Sequence, residues 1–193
     1  MADQTQLFDA VARVLARQPG SSMQEIASAA GISRTTLHRA FGDRETLVER
    51  LSEHVLADCE RLFDAAGIDH APVLEAFERL LDSTLAFAKA YALLFAEPYV
   101  YRVPRLVAEI ETQDARLERF FARGQVEGAF RPDLPPRWLA YSVGAQLEAI
   151  WWAIDDGHVG PREAPRLVRA TVLGGIATRG TTEAPAGATY TRP

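Results

Sequence analysis

"AGISRTTLHRAFGDRETL" (Ala30–Leu47) packs three arginines, three threonines and two helix-cap residues, Ser33 and Asp43, around only four bulky apolar residues. Gly31 suits a tight left-handed turn. Ser33 caps a helix over 34–41, and "GD" breaks it. Asp43 then caps a further helix over 44–65. Upstream, Ser22 and Glu25 have the three-residue spacing of a capping box, which starts a short helix that runs to Gly31. Two short helices joined by a glycine turn make a helix-turn-helix. Ile26, Ala27 and Ala30 face inward on the first helix, and Ala27 is small where the two must cross. Ile32 plugs the corner, and Leu37 and Phe41 pack the second helix back. Arg34, Thr35, Thr36, His38 and Arg39 are left on the outer face. These side chains hydrogen-bond base edges and phosphates. The first turn of that helix carries no acid, although acids normally favour such positions. A helix end that meets phosphate requires that absence.

The net charge of −5 on 193 residues argues against nonspecific nucleic-acid binding over the whole surface. The charge is uneven, however. Residues 1–52 carry six Arg against six Asp and Glu, so the remainder holds the whole excess of acid. With one cysteine, Cys59, there is no intrachain disulfide, and a reducing, cytoplasmic setting is expected. No apolar run reaches the ~18 residues of a membrane span. The start of the chain lacks a secretory signal. His38, His54, His70 and His158 form no metal-ligand spacing. No Gly-rich phosphate loop follows a strand, and no activated nucleophile stands near Cys59. No enzyme, metal or cofactor is expected.

The fold class is all-α, with no period-2 alternation. Leu7, Val11, Val14 and Leu15 stripe a first helix over 5–17. Past a loop at "AAGIDHAP", helices are expected over 72–96, 103–126, 135–156 and 161–178. The domains read as 1–52, a helix-turn-helix unit; 53–178, a larger helical body; and 179–193, a polar, Pro-containing tail expected to be disordered. Phe87, Tyr91 and Phe95 share one helical face, and Trp151 and Trp152 follow Glu148 closely. Such a set lines either plain core or a cavity between helices with Glu148 as polar anchor. Gly144 and Ala145 in one helix, and Ala170 and Gly174 in the last, permit close helix approach.

The stretch from Leu7 to Leu51, with its "IA..AGIS..TLHRAF.....L" pattern, resembles the DNA-binding domain of the tetracycline-repressor (TetR) family of bacterial regulators. The resemblance implies a sequence-specific transcriptional regulator, released from a palindromic operator by a small apolar or aromatic ligand. It makes Arg34, Thr35, Thr36 and Arg39 readers of bases or phosphates. His38 stands where the family usually has a phosphate-contacting tyrosine, and Arg44 where a lysine often meets phosphate. In the family the body holds an effector cavity, and the last two long helices form a homodimer interface. That implies these roles for the aromatic set and for Gly144, Ala145, Ala170 and Gly174. The expected partners are double-stranded operator DNA, a small effector and a second copy of the chain, with no membrane. The alternative is a helical small-molecule-binding protein without DNA binding, and a DNA-binding assay separates the two.

Overall fold

Ala2–Arg17 forms α1, Met23–Ala29 α2, Arg34–Phe41 α3 and Arg44–Ala66 α4. The computed structural model describes residues 2–83, 92–94 and 96–177. The local chemistry that starts these helices is present in full. Ser22 and Glu25 close their capping box, with Ser22 N–H donating to Glu25 at 2.7 Å and Glu25 N–H to Ser22 Oγ at 3.3 Å. Ser33 Oγ accepts from Thr36 N–H at 3.0 Å, and Asp43 from Thr46 N–H at 2.8 Å. Gly31 turns the chain at φ +70°, which an L side chain resists. The apolar stripes of the four helices converge on one cluster. Val11, Leu15, Ile26, Ala27, Leu37 and Leu47 are fully excluded from solvent there, and Ile32 packs on its edge.

The body follows. Val73–Asp82 is α5, a short 3-10 turn spans Val100–Arg102, Pro104–Val126 is α6, Pro136–Asp155 is α7 and Ala164–Ile176 is α8. Among the described residues no strand occurs, only an isolated antiparallel bridge between Phe130 and Ala177. Phe77, Phe120, Phe121 and Phe130 form the body's core, with Phe77 and Phe130 edge to face at 5.3 Å. The last helix begins at Ala164 rather than at 161. Pro161 lies in a turn, and Pro165, which has no N–H to donate, sits in the helix's first turn. Phe87, Tyr91 and Phe95, like the tail at 179–193, lie outside the described residues.

The boundary expected at residue 52 falls inside α4, which runs unbroken from the small helical head into the body. Leu93, Leu94, Val100 and Leu106 pack into the head's own cluster. Polar ties add to this seam. Arg17 at the end of α1 ion-pairs with Asp155 and Asp156 at the end of α7. Arg105 of α6 pairs with Glu49 and Glu53 of α4. The small helical head is therefore held against the body through α1, α4 and the segment around Leu93.

Candidate functional site

Helix α3 stands at the surface with its buried side, Leu37 and Phe41, turned to α2 and α4. Arg34, Thr35, His38 and Arg39 are exposed and Thr36 is half-buried. Arg34 and Arg39 make no ion pair among the described residues. Two features fix the helix's orientation at its ends. Ser33 binds both the N–H and, at 2.8 Å, the hydroxyl of Thr36. At the other end, Arg50 of α4 donates to the Ala40 carbonyl at 3.2 Å. No acid stands in the first turn, so the positive end of the helix dipole is left unbalanced. A helix with free cations, short donors and a positive end can read a duplex groove and its phosphates.

Arg44 differs from the expectation of a phosphate contact. Its guanidinium turns inward, donating to the Ser21 carbonyl at 2.8 Å and to Glu97 at 2.6 Å. The Glu97 side chain is only 3% exposed, so it needs a cation more than the surface does. Glu97 also accepts from Tyr99 N–H at 3.3 Å, while Tyr99 Oη donates to Glu49 of α4 at 2.9 Å. These contacts clasp the head to the body.

Past the clasp, α4, α6, α7 and the segment around Leu94 enclose a cavity of about 390 Å³. That lies within the range of small-molecule sites. Leu56 and Phe63 of α4, Leu94, and Ile110 and Leu117 of α6 supply apolar wall. Tyr101, Gln113, Glu111, Asp114, Tyr141 and Glu148 supply the polar wall. Gln113 is buried, and its amide donates to the Leu56 carbonyl at 2.7 Å. Arg137 lies beside this lining and donates to Glu111 at 2.7 Å, to Asp114 at 3.3 Å and to Tyr141 Oη at 3.0 Å. Burial pushes the Asp114 carboxyl above the ordinary carboxylate value. Glu111 and Glu118 push the same way, and Arg137 opposes them.

Of the residues expected at the cavity, Glu148 lines it and the tryptophans do not. Trp151 is 5% exposed within the phenylalanine-rich core, and Trp152 packs against that core and edge-on to Trp151 at 4.4 Å. The helical turn from Glu148 to Trp151 carries the chain from cavity wall to core. Gly144 and Ala145, expected at a dimer surface, line the cavity. Ala170 and Gly174 are exposed on α8. Sequence reading missed Glu111, Gln113, Asp114 and Tyr141. One signal was there to be seen. Leu106, Ile110, Gln113, Leu117 and Phe120 follow one helical stripe, and Gln113 is the polar member of it.

Among the described residues, no group of His, Cys, Asp and Glu is arranged to hold a metal ion. Cys59 is buried in α4, and burial drives its thiol far above the ordinary value. No described helix is long and apolar enough to cross a membrane.

Residues 7–51 match the family described as bacterial regulatory proteins, tetR family. The chain is 30% identical over 151 residues, 78% of either chain, to the HTH-type transcriptional repressor LfrR of Mycolicibacterium smegmatis. It is 33% identical over 135 residues to the HTH-type transcriptional regulator NfxB of Pseudomonas aeruginosa, spanning 66% of this chain and 70% of that one. The crystal structure of LfrR in complex with proflavine superposes with a TM-score of 0.67 at 26% identity, over 91% of this chain and 96% of that chain. The ketosteroid transcriptional regulator KstR2 of Mycobacterium tuberculosis shares the fold, with a TM-score of 0.67 at 20% identity over 92% of this chain and 96% of that one.

Proposed function

Because the chain belongs to the tetR family of bacterial regulatory proteins, and is a DNA-binding transcriptional regulator rather than an enzyme, we propose that it is a homodimeric repressor working in the cytoplasm. It holds a palindromic operator until a small aromatic ligand enters the cavity between α4, α6 and α7. The observation that carries this reading is the pairing of two features on one helix. Helix α4 starts beside the exposed recognition helix and, through Leu56 and Phe63, walls the cavity farther along. Arg34, Thr35, Thr36, His38 and Arg39 face the duplex, with α3 in the major groove. LfrR, a named repressor crystallised in complex with proflavine, supports both repression and the kind of occupant.

The dimer is proposed on the outer face of α7 and α8. Trp138 is 57% exposed there, which is unusual for a large aromatic. Ala170 and Gly174 leave room beside it for a partner's helices. Two-fold symmetry of that kind matches an operator with two half-sites. The test is selection of bound fragments from the source genome, followed by retention of the enriched sequence with and without added aromatic compounds. A palindromic motif retained by the protein and released by one such compound supports the reading. A protein that retains no DNA sequence overturns it.

A further inference from the structure

The polar lining of the cavity is one-sided. It presents the carboxylates of Glu111, Asp114 and Glu148, and no Lys, Arg or His among the described lining residues. Gln113 adds to this. Its side chain belongs to a residue only 5% exposed. The Leu56 carbonyl can only accept, so the 2.7 Å bond to it fixes the amide's orientation. Gln113 lines the cavity, and its Oε1 accepts no hydrogen bond among the described residues.

The resident cation does not meet this demand. Arg137 divides itself among Glu111, Asp114 and Glu118, with its contacts to the last two stretched to 3.3 and 3.4 Å. Glu148 makes no ion pair among the described residues. Asp114 and Glu148 line the cavity together with Tyr101, and after burial both carboxylates push the Tyr101 hydroxyl above its ordinary value. The aromatic walls suit a flat cation as well. The Arg137 guanidinium already lies over the Tyr141 ring at 5.2 Å.

An anion here would meet like charge and surplus acceptors. A neutral hydrocarbon would strip water from Glu148 and Gln113 and return nothing. We propose that the ligand of this cavity is an aromatic cation bearing N–H donors, with its charge held by Asp114 and Glu148 and a donor hydrogen accepted by Gln113 Oε1. This rests on reading the cavity as the regulatory site and adds the chemical class of what enters it.

The probes are proflavine, a cation at neutral pH, and acridine, the same ring system uncharged at that pH. Each is titrated against the full chain by calorimetry at fixed ionic strength, and operator release is measured separately. Proflavine is expected to bind at least about tenfold tighter than acridine. Glu148→Gln and Asp114→Asn should each reduce that ratio about tenfold, and Gln113→Leu should reduce it in the same direction. Circular dichroism checks that each variant is folded, and Glu148→Gln is the cleanest because the native side chain has no ion pair to lose. Equal binding of the two probes, an unchanged ratio in Glu148→Gln, or no binding of proflavine overturns the proposal. The two readings fail separately. Operator release by acridine as readily as by proflavine keeps the regulatory reading and rejects the cation. Charge-selective binding that leaves operator affinity untouched keeps the cation and rejects the regulatory reading.

Discussion

Arg34 and Arg44 each stand at the first position of a helix behind a polar cap, yet their surroundings assign them different work. Arg34 is exposed and without an ion pair among the described residues, so its charge is available to DNA. Arg34→Ala should weaken operator binding by about 1–3 kcal/mol and relax sequence preference at one position. Its unfolding curve should stay that of the native protein. Arg44 instead neutralises Glu97, whose side chain is 3% exposed against 24% for Arg44. Removing one member of a fully buried pair costs about 3–5 kcal/mol. The partial exposure of Arg44 brings the expected loss to roughly 2–3 kcal/mol for Arg44→Ala. Urea unfolding reads it as a lower midpoint with an unchanged slope. Weakened operator binding with undiminished stability would return Arg44 to the phosphate role that the sequence suggested.

Two glycines show how elements depend on a missing Cβ in opposite ways. At Gly31 a Cβ would meet nothing within 4 Å, and the constraint is the backbone itself at φ +70°. At Gly124 the backbone is ordinary helix, but a Cβ would run into the Phe130 ring and lie 2.9 Å from Val73. Gly31→Ala is expected to cost about 1–2 kcal/mol through strain in the turn between α2 and α3. Gly124→Ala should cost about 1–3 kcal/mol or more, because a rigid ring rather than a flexible chain end must move. Thermal unfolding of the two variants gives the order, and a Gly124→Ala protein as stable as the native one would mean that α6 and the 124–130 turn can separate freely. Ser33→Ala should cost about 1 kcal/mol by leaving the Thr36 N–H without its cap.

Across the whole molecule, two elements belong to both the head and the cavity. Helix α4 starts with Arg44 and walls the cavity with Leu56 and Phe63. The segment carrying Leu94 walls the cavity and, three residues later, presents Glu97 to the clasp. A ligand changes DNA affinity only by favouring one arrangement of the heads over another. Recognition helices must match half-sites about 34–36 Å apart, so a modest pivot of α4 suffices to spoil the fit. Coupling of about 1–3 kcal/mol is typical of such systems. Linkage then requires operator DNA to weaken ligand binding by the same factor that the ligand weakens operator binding. Titrating each in the presence of the other checks this, and unequal factors at equilibrium would place ligand and operator in separate binding events. Symmetry gives a second prediction. A Cβ at Gly174 would meet nothing within 4 Å inside one protomer, and Leu is the better helix former by roughly 1 kcal/mol. Gly174→Leu should therefore keep its helical signal while light scattering finds monomers. A dimer that survives the change would move the interface off this part of α8.

The local chemistry of the head is legible along the chain. Caps act over three residues, and the apolar stripes of α1 to α4 repeat every three or four. The Gly31 turn needs only its own backbone. Ser22, Glu25, Gly31, Ser33 and Asp43 are therefore readable without knowing what lies across the fold, and the helix bounds at 34–41 follow from them. Tertiary structure alone decided which distant groups satisfy one another. Arg44 and Glu97 are 53 residues apart, and no periodicity links an exposed-looking arginine to a glutamate that the fold buries. It also decided which helical face opens to a cavity. Glu148 and Trp151 are one turn apart on α7, and only the neighbours, α6 on one side and the phenylalanine core on the other, make the first a wall and the second a filling. Burial is a property of what packs against a residue, and that is set by chain segments far away in sequence.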